Sequence, residues 1–233
     1  ANVRQGKGTI GALVKDPRFD PLKDLVPVAM VSYSPHLLVT HPSVPAMSVA
    51  ELIADAKSRP GKINVATVGA GSAPHLAAAL FAKRAGISWT YIPYKGGAQA
   101  LADLAGGQVD AMFNGSLATT PFVKSGKLRA LALSGDKRQA SLEGLPTVAE
   151  SGFPGFLTGS WQGILASPGT PREVVAKLNA EINKVLRDPE IRDKLALQGA
   201  EALPLTAEQF GGFMREESVR WLEIAKEAGV KPE

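Results

Sequence analysis

Between residues 63 and 134, short apolar runs alternate with capped helical segments, and this alternation leaves few possible folds. The apolar runs lie at 63–67, 89–94, 109–113 and 128–134 and are bounded by glycine, proline, serine or asparagine. Continuously apolar runs are typical of strands that are covered on both faces. The alternation therefore predicts right-handed crossovers and a doubly wound, mostly parallel sheet in an α/β protein.

Capping residues and hydrophobic periodicity predict the helices and the remaining strands. Thr170 followed by Glu173 has the spacing of a capping box, as do Ser48 and Glu51. The predicted helices run over 48–58, 72–85, 97–104, 120–126, 170–185, 188–199 and 206–229. Further strands are predicted at 26–33, 36–41 and 161–166. Because the alternation ends near Ser134 and a turn-rich stretch follows, we expect two lobes with a cleft between them.

Composition narrows the possible functions. The 233 residues include no cysteine, which excludes disulfide scaffolds, thiolate metal sites and cysteine nucleophiles. No apolar run approaches the roughly 18 residues that span a bilayer. The net charge of +4 gives a mild positive field that attracts small anions. The nearest basic cluster, Lys124, Lys127 and Arg129, is too scattered to indicate nucleic-acid binding.

The loop after the strand at 63–67 carries Gly71, Ser72, Ala73 and His75 and leads into a helix. Ligands of parallel α/β sheets collect where strands end and helices begin. Glycines there allow close approach of the backbone, and the first amides of the helix have no intrahelical partner. The loop fits a carboxylate or phosphate site, although a tight turn with an N-cap explains the same residues equally well.

Two further strand ends carry small or polar residues. Tyr94, Lys95 and Gly96 follow the strand at 89–94, and Asn114 follows the strand at 109–113. Because the carboxyl ends of parallel strands meet at one edge of a sheet, the three loops predict one rim of a pocket.

Enzyme and cofactor signatures are incomplete. The Gly69-x-Gly71 pattern has Pro74 where a dinucleotide fingerprint needs glycine, and neither a Walker loop nor a Gly-x-Ser-x-Gly elbow occurs. The three histidines do not have metal-ligand spacing. Among them, His75 alone has a plausible site role, and a capping or core histidine is an equal alternative. We therefore expect no catalytic residue, no metal and no cofactor.

Motifs in a fixed order resemble the Bug family of periplasmic receptors for tripartite tricarboxylate transporters. These motifs, which cover the chain from about residue 16 to its end, are Phe19-Asp20-Pro21-Leu22-Lys23-Asp24-Leu25-Val26-Pro27, Gly69-Ala70-Gly71-Ser72, Pro93-Tyr94-Lys95-Gly96, Gly106-Gly107-Gln108-Val109-Asp110-Ala111-Met112-Phe113, Leu145-Pro146-Thr147-Val148-Ala149-Glu150 and Pro168-Gly169-Thr170-Pro171. The resemblance implies a type II periplasmic-binding-protein fold. Domain I would comprise residues 1–37 and 160–233, and domain II residues 38–159.

The resemblance also implies a function and a site. Family members hold small carboxylic acids through loop amides, hydroxyls and water, which implies ligand-binding roles for Gly71, Ser72, Ala73, His75, Tyr94, Lys95, Gly96 and Asn114. Trp161 would line the cleft or brace the hinge. The implied protein is a periplasmic monomer that delivers its carboxylate to the membrane subunits of a transporter. The family's opening strand and Pro-Gly-Gly loop have no counterpart in this sequence, so domain I is expected to be incomplete.

Two alternative functions remain open at the level of sequence. A hydrolase or transferase could use the same strand-end pocket, and a ligand-sensing protein could use it in signalling. The sequence does not specify which carboxylate is bound. Reversible stabilisation by ligand without turnover distinguishes a receptor from an enzyme.

Overall fold

The structure, a computed structural model, describes residues 2–4 and 20–230. Its strands are β1 (Asn2–Arg4), β2 (Val26–Thr40), β3 (Asn64–Thr67), β4 (Thr90–Pro93), β5 (Ala111–Gly115), β6 (Arg129–Leu133), β7 (Gly159–Ala166) and β8 (Glu201–Ala202). Its α-helices are α1 (Val49–Ser58), α2 (Ala73–Ala85), α3 (Gly97–Ala105), α4 (Ser116–Lys124), α5 (Arg172–Leu186), α6 (Pro189–Leu197) and α7 (Ala207–Ala228). The start of the first family motif, at Phe19, lies outside the described residues. None of the described helices has the length and apolar character needed to span a bilayer.

The long strand β2 belongs to two sheets. Its residues 26–35 pair with β7, which in turn pairs with β1, and β8 pairs beside Ser32 and Tyr33. We call this group sheet I, and each of its described pairings is antiparallel. Residues 36–40 pair with β5 on one side and β6 on the other. Together with β3 and β4 they form sheet II.

Sheet II has the architecture that the alternation predicted. The strands β3, β4, β5 and β6 share one direction, and β2 runs opposite to them. Successive strand residues point to opposite faces, so Leu38 and Phe113 pack under α1 and α2, while Leu37 and Met112 pack under α3. The sheet is therefore covered on both faces, which explains why its strands are continuously apolar.

Sheet I is covered by the C-terminal helices. Met30 and Trp161 pack against Phe210 of α7 on one face, and Val28 packs against Val175 of α5 on the other. Farther along α7, Trp221 joins the core beneath sheet II. One helix thus contributes to both cores. The predicted division at residues 38 and 159 stays a prediction.

The two strands predicted at 26–33 and 36–41 are a single strand, so the break expected between them was wrong. Pro35 has no amide hydrogen to donate to a ladder. It lies opposite Gly159 at the last position of the pairing with β7, immediately before β2 changes partners at His36. The proline therefore lies at the position where the hydrogen bonding of β2 changes from sheet I to sheet II.

Two helix starts also differ from their predictions. The helix predicted from Thr120 begins at Ser116, which leaves Pro121 inside it. The capping box predicted at Thr170 is absent, because the threonine hydroxyl donates to the carbonyl oxygen of Ser167 at 2.8 Å. The N-cap of α5 is Pro171, which has no side-chain acceptor. In contrast, Thr206 and Gln209 form a complete capping box at the start of α7.

Candidate functional site

The first predicted loop is a preformed turn. Gly69 and Gly71 have φ angles of 93° and 70°, in the left-handed region that disfavours other residues. Ser72 is the N-cap of α2; its hydroxyl donates to Gly69 O at 2.8 Å and accepts from the amide of His75 at 3.4 Å. The serine therefore performs the capping role that the sequence left open. A ligand at this hydroxyl would compete with Gly69 O for its hydrogen.

His75 closes the same loop. The amide of Gly71 donates to His75 Nδ1 at 3.0 Å, so this nitrogen carries no hydrogen. The ring also contacts Tyr91 edge-on, with centroids 5.0 Å apart. His75 therefore holds the turn together and occupies the amide of Gly71. Ala73 is buried in the first turn of α2, and its own amide has no acceptor among the described residues.

The second loop joins β4 to α3 and leaves the start of the helix uncapped. Gly96 is the N-cap in an extended conformation and provides no side-chain acceptor. A Cβ built on Gly96 would have no atom within 4 Å, so the space beside it is open. Lys95 is exposed. Tyr94 is half-buried, and burial followed by its hydrogen bond to Asp103 raises the pKa of its phenol.

Asn114 is the penultimate residue of β5, and its side chain is buried. Its Nδ2 donates to Thr119 Oγ1 at 3.0 Å, and that hydroxyl donates to Gly115 O at 2.8 Å. Because the threonine hydrogen is used in this way, the amide orientation is fixed and Oδ1 points away from Thr119. Gly115 then caps α4 without a side-chain bond, so the first amides of this helix also lack a side-chain acceptor.

The three loops converge on Gly97, the first residue of α3. A Cβ built there would lie 3.6 Å from Asn114 Oδ1 and 3.8 Å from Val68 Cγ1. Val68 belongs to the first loop and Asn114 to the third, so the position of this Cβ is in contact with residues of all three loops. We call this position the convergence point. The sequence singles out the glycine pair at 96 and 97, but the predicted ligand-binding role was given to Gly96 alone.

Trp161 lies elsewhere. It is 3% exposed and packs edge-on against Phe210 and Phe213, with ring centroids 5.6 and 6.2 Å away. Along β7 its neighbour Ser160 points to the opposite face, where it approaches Gly115. The structure therefore places Trp161 in the core beneath sheet I, and a ligand contact by Trp161 stays a prediction.

A cavity of about 710 Å³ opens away from the three loops. It lies between the start of α1, strand β6 and the turn that follows β6, and Met47, Val123, Leu131 and Pro146 line it. None of the predicted site residues borders it. Among the described residues, no three histidine, aspartate or glutamate side chains are grouped so that they could hold a metal ion.

Sequence reasoning missed His36. The ring is fully buried where β2 changes sheets, and its nitrogens lie 3.1 Å from Thr158 Oγ1 and 2.9 Å from Ser160 Oγ. Burial, with a smaller contribution from the positive charge of Arg220, lowers the pKa of His36 to about 3. No local sequence pattern could have indicated this, since its partners are more than 120 residues away.

Comparison with known proteins relates this geometry to a family. The family model described as "Tripartite tricarboxylate transporter family receptor" (TctC) matches residues 8–230. The protein BugT of Bordetella pertussis is 39% identical over 210 residues, which is 90% of this chain. The chain spans 64% of the length of BugT, slightly less than two thirds.

Solved structures share the fold over almost the whole chain. A structure of Rpa4515 from R. palustris with adipate has a TM-score of 0.96 and 35% identity, covering 100% of this chain and 78% of its own. The periplasmic binding protein BugD has a TM-score of 0.92 and 34% identity, covering 99% and 78%. MatC from Rhodopseudomonas palustris with bound malate has a TM-score of 0.86 and 29% identity, covering 96% and 77%. These likenesses confirm the predicted periplasmic-binding-protein fold.

Proposed function

Because the chain belongs to the tripartite tricarboxylate transporter receptor family, we propose that it binds a small carboxylic acid and presents it to the membrane subunits of such a transporter. The observation that carries the proposal is the convergence of three strand-end loops on Gly97, beside two helix starts without a side-chain cap. In this proposal the protein acts outside the cytoplasm as a monomer and returns its ligand unchanged.

Backbone amides, rather than cationic side chains, would hold the carboxylate. The first amides of α3 and α4 have no side-chain acceptor, and the dipoles of both helices favour an anion at these ends. A charge-assisted hydrogen bond contributes about 1.5–3 kcal/mol, so three amides supply about 4.5–9 kcal/mol, a range that includes the roughly 8 kcal/mol of micromolar binding. The exposed Lys95 would add long-range attraction rather than a direct contact.

Asn114 would influence which acid is preferred. Its Oδ1 faces the convergence point as a hydrogen-bond acceptor. An acceptor disfavours a second carboxylate oxygen in contact with it, and it favours a hydroxyl or a bridging water. The adipate complex of Rpa4515 and the malate complex of MatC make dicarboxylates the first ligands to test. Malate and succinate, which differ by one hydroxyl, would measure the contribution of Asn114.

The experiment is a thermal-shift and calorimetric screen with succinate, malate, adipate and citrate. At a ligand concentration of about 100 Kd, binding adds about 2.7 kcal/mol to stability, which corresponds to roughly 5–11 °C in Tm for a chain of this size. Nuclear magnetic resonance of the recovered ligand checks that it is unchanged. Appearance of a product would refute the receptor and support the hydrolase or transferase alternative.

Gly97→Ala tests the location of the site. The new methyl fits the protein, because its nearest neighbours would be 3.6 and 3.8 Å away, but it occupies the convergence point. We expect at least a tenfold loss of affinity, equivalent to one charge-assisted hydrogen bond, with no loss of Tm. The matched control is Gly212→Ala in α7, where the nearest atom is 3.9 Å away. Equal affinity in Gly97→Ala and Gly212→Ala would show that the carboxylate binds at another place.

Ser72→Ala separates binding from capping. Loss of an N-cap hydroxyl costs about 1 kcal/mol of stability wherever it occurs. Thr206→Ala removes the corresponding hydroxyl from α7 and is the matched control. Both variants should lose similar stability, but only Ser72→Ala should lose affinity. If affinity is unchanged in Ser72→Ala, this hydroxyl is a cap and nothing more.

A further inference from the structure

Three chain segments meet where the polypeptide passes between the two sheets. His36 lies in β2, Ser134 follows β6, and Thr158 precedes β7. Their main chains form a closed ring of hydrogen bonds: His36 N to Thr158 O at 3.1 Å, Thr158 N to Ser134 O at 3.0 Å, and Ser134 N to His36 O at 2.8 Å. Movement of one segment therefore requires a change at the other two.

Side chains reinforce this ring. The hydroxyl of Ser134 donates to Thr158 O at 2.6 Å and accepts from the amide of His36 at 3.0 Å and from Thr158 Oγ1 at 2.9 Å. Because the Thr158 hydrogen is directed to Ser134, its lone pair faces His36 Nδ1 at 3.1 Å. The ring hydrogen therefore belongs on Nδ1, and Nε2 accepts from Ser160 Oγ at 2.9 Å.

His36 is the side chain that connects this ring to the loop carrying Asn114. Ser160 and Ser34 are joined by a hydrogen bond of 3.3 Å, and both lie against Gly115. A Cβ on Gly115 would lie 3.1 Å from Ser34 Oγ and 3.6 Å from Ser160 Oγ. Gly115 directly follows Asn114 in the chain. The backbone of residue 36 pairs with Gly115 in the ladder between β2 and β5, and the imidazole adds a second path through Ser160 to the third loop of the candidate site.

The surroundings of the imidazole keep it uncharged. The ring is fully buried, and Arg220 of α7, whose positive charge acts on it, pairs with Glu217 at 2.6 Å. The ring of Trp221 lies 6.3 Å away on the same helix. A neutral ring with both nitrogens satisfied is a rigid connector between the segments rather than a group that titrates near neutral pH.

We propose that His36 is a positioning residue for ligand binding: by fixing the crossing segments to each other and to Gly115, it sets the angle between the bodies built on sheet I and sheet II. This proposal rests on the proposed function and on the cleft that the sequence predicts between two lobes: a carboxylate in that cleft would be held according to how closely the two bodies approach. It assigns a role to a residue that makes no contact with the convergence point itself.

The test measures that angle without ligand. The chain has no cysteine, so spin labels can be attached at Lys62→Cys beside sheet II and Lys184→Cys on α5, both at exposed positions. Double electron–electron resonance then gives the distance distribution between the two bodies. We expect His36→Leu to broaden and shift this distribution. Distributions that superimpose on the parent would overturn the proposal.

Conservative variants show which contact matters. The amide of Gln reaches the position of Nε2 and that of Asn the position of Nδ1, so His36→Gln should restore the narrow distribution better than His36→Asn. Should His36→Leu fail to fold, Ser160→Ala removes the same link by deleting one hydroxyl, and an unchanged distribution there would overturn the proposal equally. Leu52→Ala is the control, because Leu52 is a fully buried residue of α1 away from the crossing.

Affinity provides the second measurement. Each lost hydrogen bond should weaken binding of the best dicarboxylate from the screen roughly two- to tenfold. Leu52→Ala should lower Tm without this effect. If the parent binds none of the four acids, the proposed function fails, yet the distance distributions still decide the role of His36. If the parent binds and the His36 variants bind equally well, the positioning role fails alone.

Discussion

Acid should destabilise the protein through His36 in a range where few other groups titrate. Burial, aided by Arg220, lowers the pKa of the folded imidazole to about 3 from the usual 6.5. Between pH 6.5 and about 3, the imidazole of His36 is therefore protonated in the unfolded chain but not in the folded protein. Stability is fully present above pH 6.5 and is lost as the pH falls from 6.5 towards 3.

The size of this effect follows from the two pKa values. Each pH unit in that interval costs about 1.4 kcal/mol, so lowering the pH from 7.5 to 5.0 should remove about 2 kcal/mol. For a chain of this length the loss corresponds to roughly 4–8 °C in Tm. The carboxyls of Asp55 and Glu227 have lowered pKa values because of bonds to Arg59 and Arg84, and their effect is confined to lower pH.

The assay is urea unfolding at half-unit intervals between pH 5.0 and 7.5 for the parent and His36→Gln. Glutamine has no titratable proton, so lowering the pH from 7.5 to 5.0 should cost the variant about 2 kcal/mol less stability than it costs the parent. Because the variant also alters the buried contacts of the ring, it should be less stable than the parent at pH 7.5, and this deficit should shrink by about 2 kcal/mol at pH 5.0. Parallel curves for the two proteins would refute the argument that the folded imidazole is held neutral.

Three further variants test packing, backbone conformation and a surface ion pair. Gly163→Ala would place a methyl 2.3 Å from Phe210 Cζ, so we expect a loss of about 1–3 kcal/mol in urea unfolding. Gly71→Val forces a β-branched residue to a φ of 70° and should cost at least 1 kcal/mol by the same measurement, with weaker carboxylate binding in calorimetry. Glu227→Gln removes the charge from a bidentate pair with Arg84 that is partly exposed, and the change in Tm should correspond to less than about 1 kcal/mol. A larger change would contradict the view that solvent screens this pair.

Much of the secondary structure could be read from the sequence because its signals are local. Thr206 and Gln209 form the capping box at the start of α7, and Asp188 caps α6, both within three residues of their partners. The Thr170 prediction failed even at this range, since Ser167 O competes for the same hydroxyl. The continuity of β2 through Pro35 could not be read, because it depends on which sheet each half joins.

The candidate site likewise has features that the sequence indicates and features that only the tertiary structure decides. Residue types alone marked the three strand ends, since glycines at positive φ and uncapped helix starts are properties of short segments. Their meeting at Gly97 and the burial of Trp161 required the packed sheets. His36 is the extreme case, because its ring partners Thr158 and Ser160 are 122 and 124 residues distant. Capping and periodicity act over a single turn, whereas contacts across the crossing exist only after both sheets have formed.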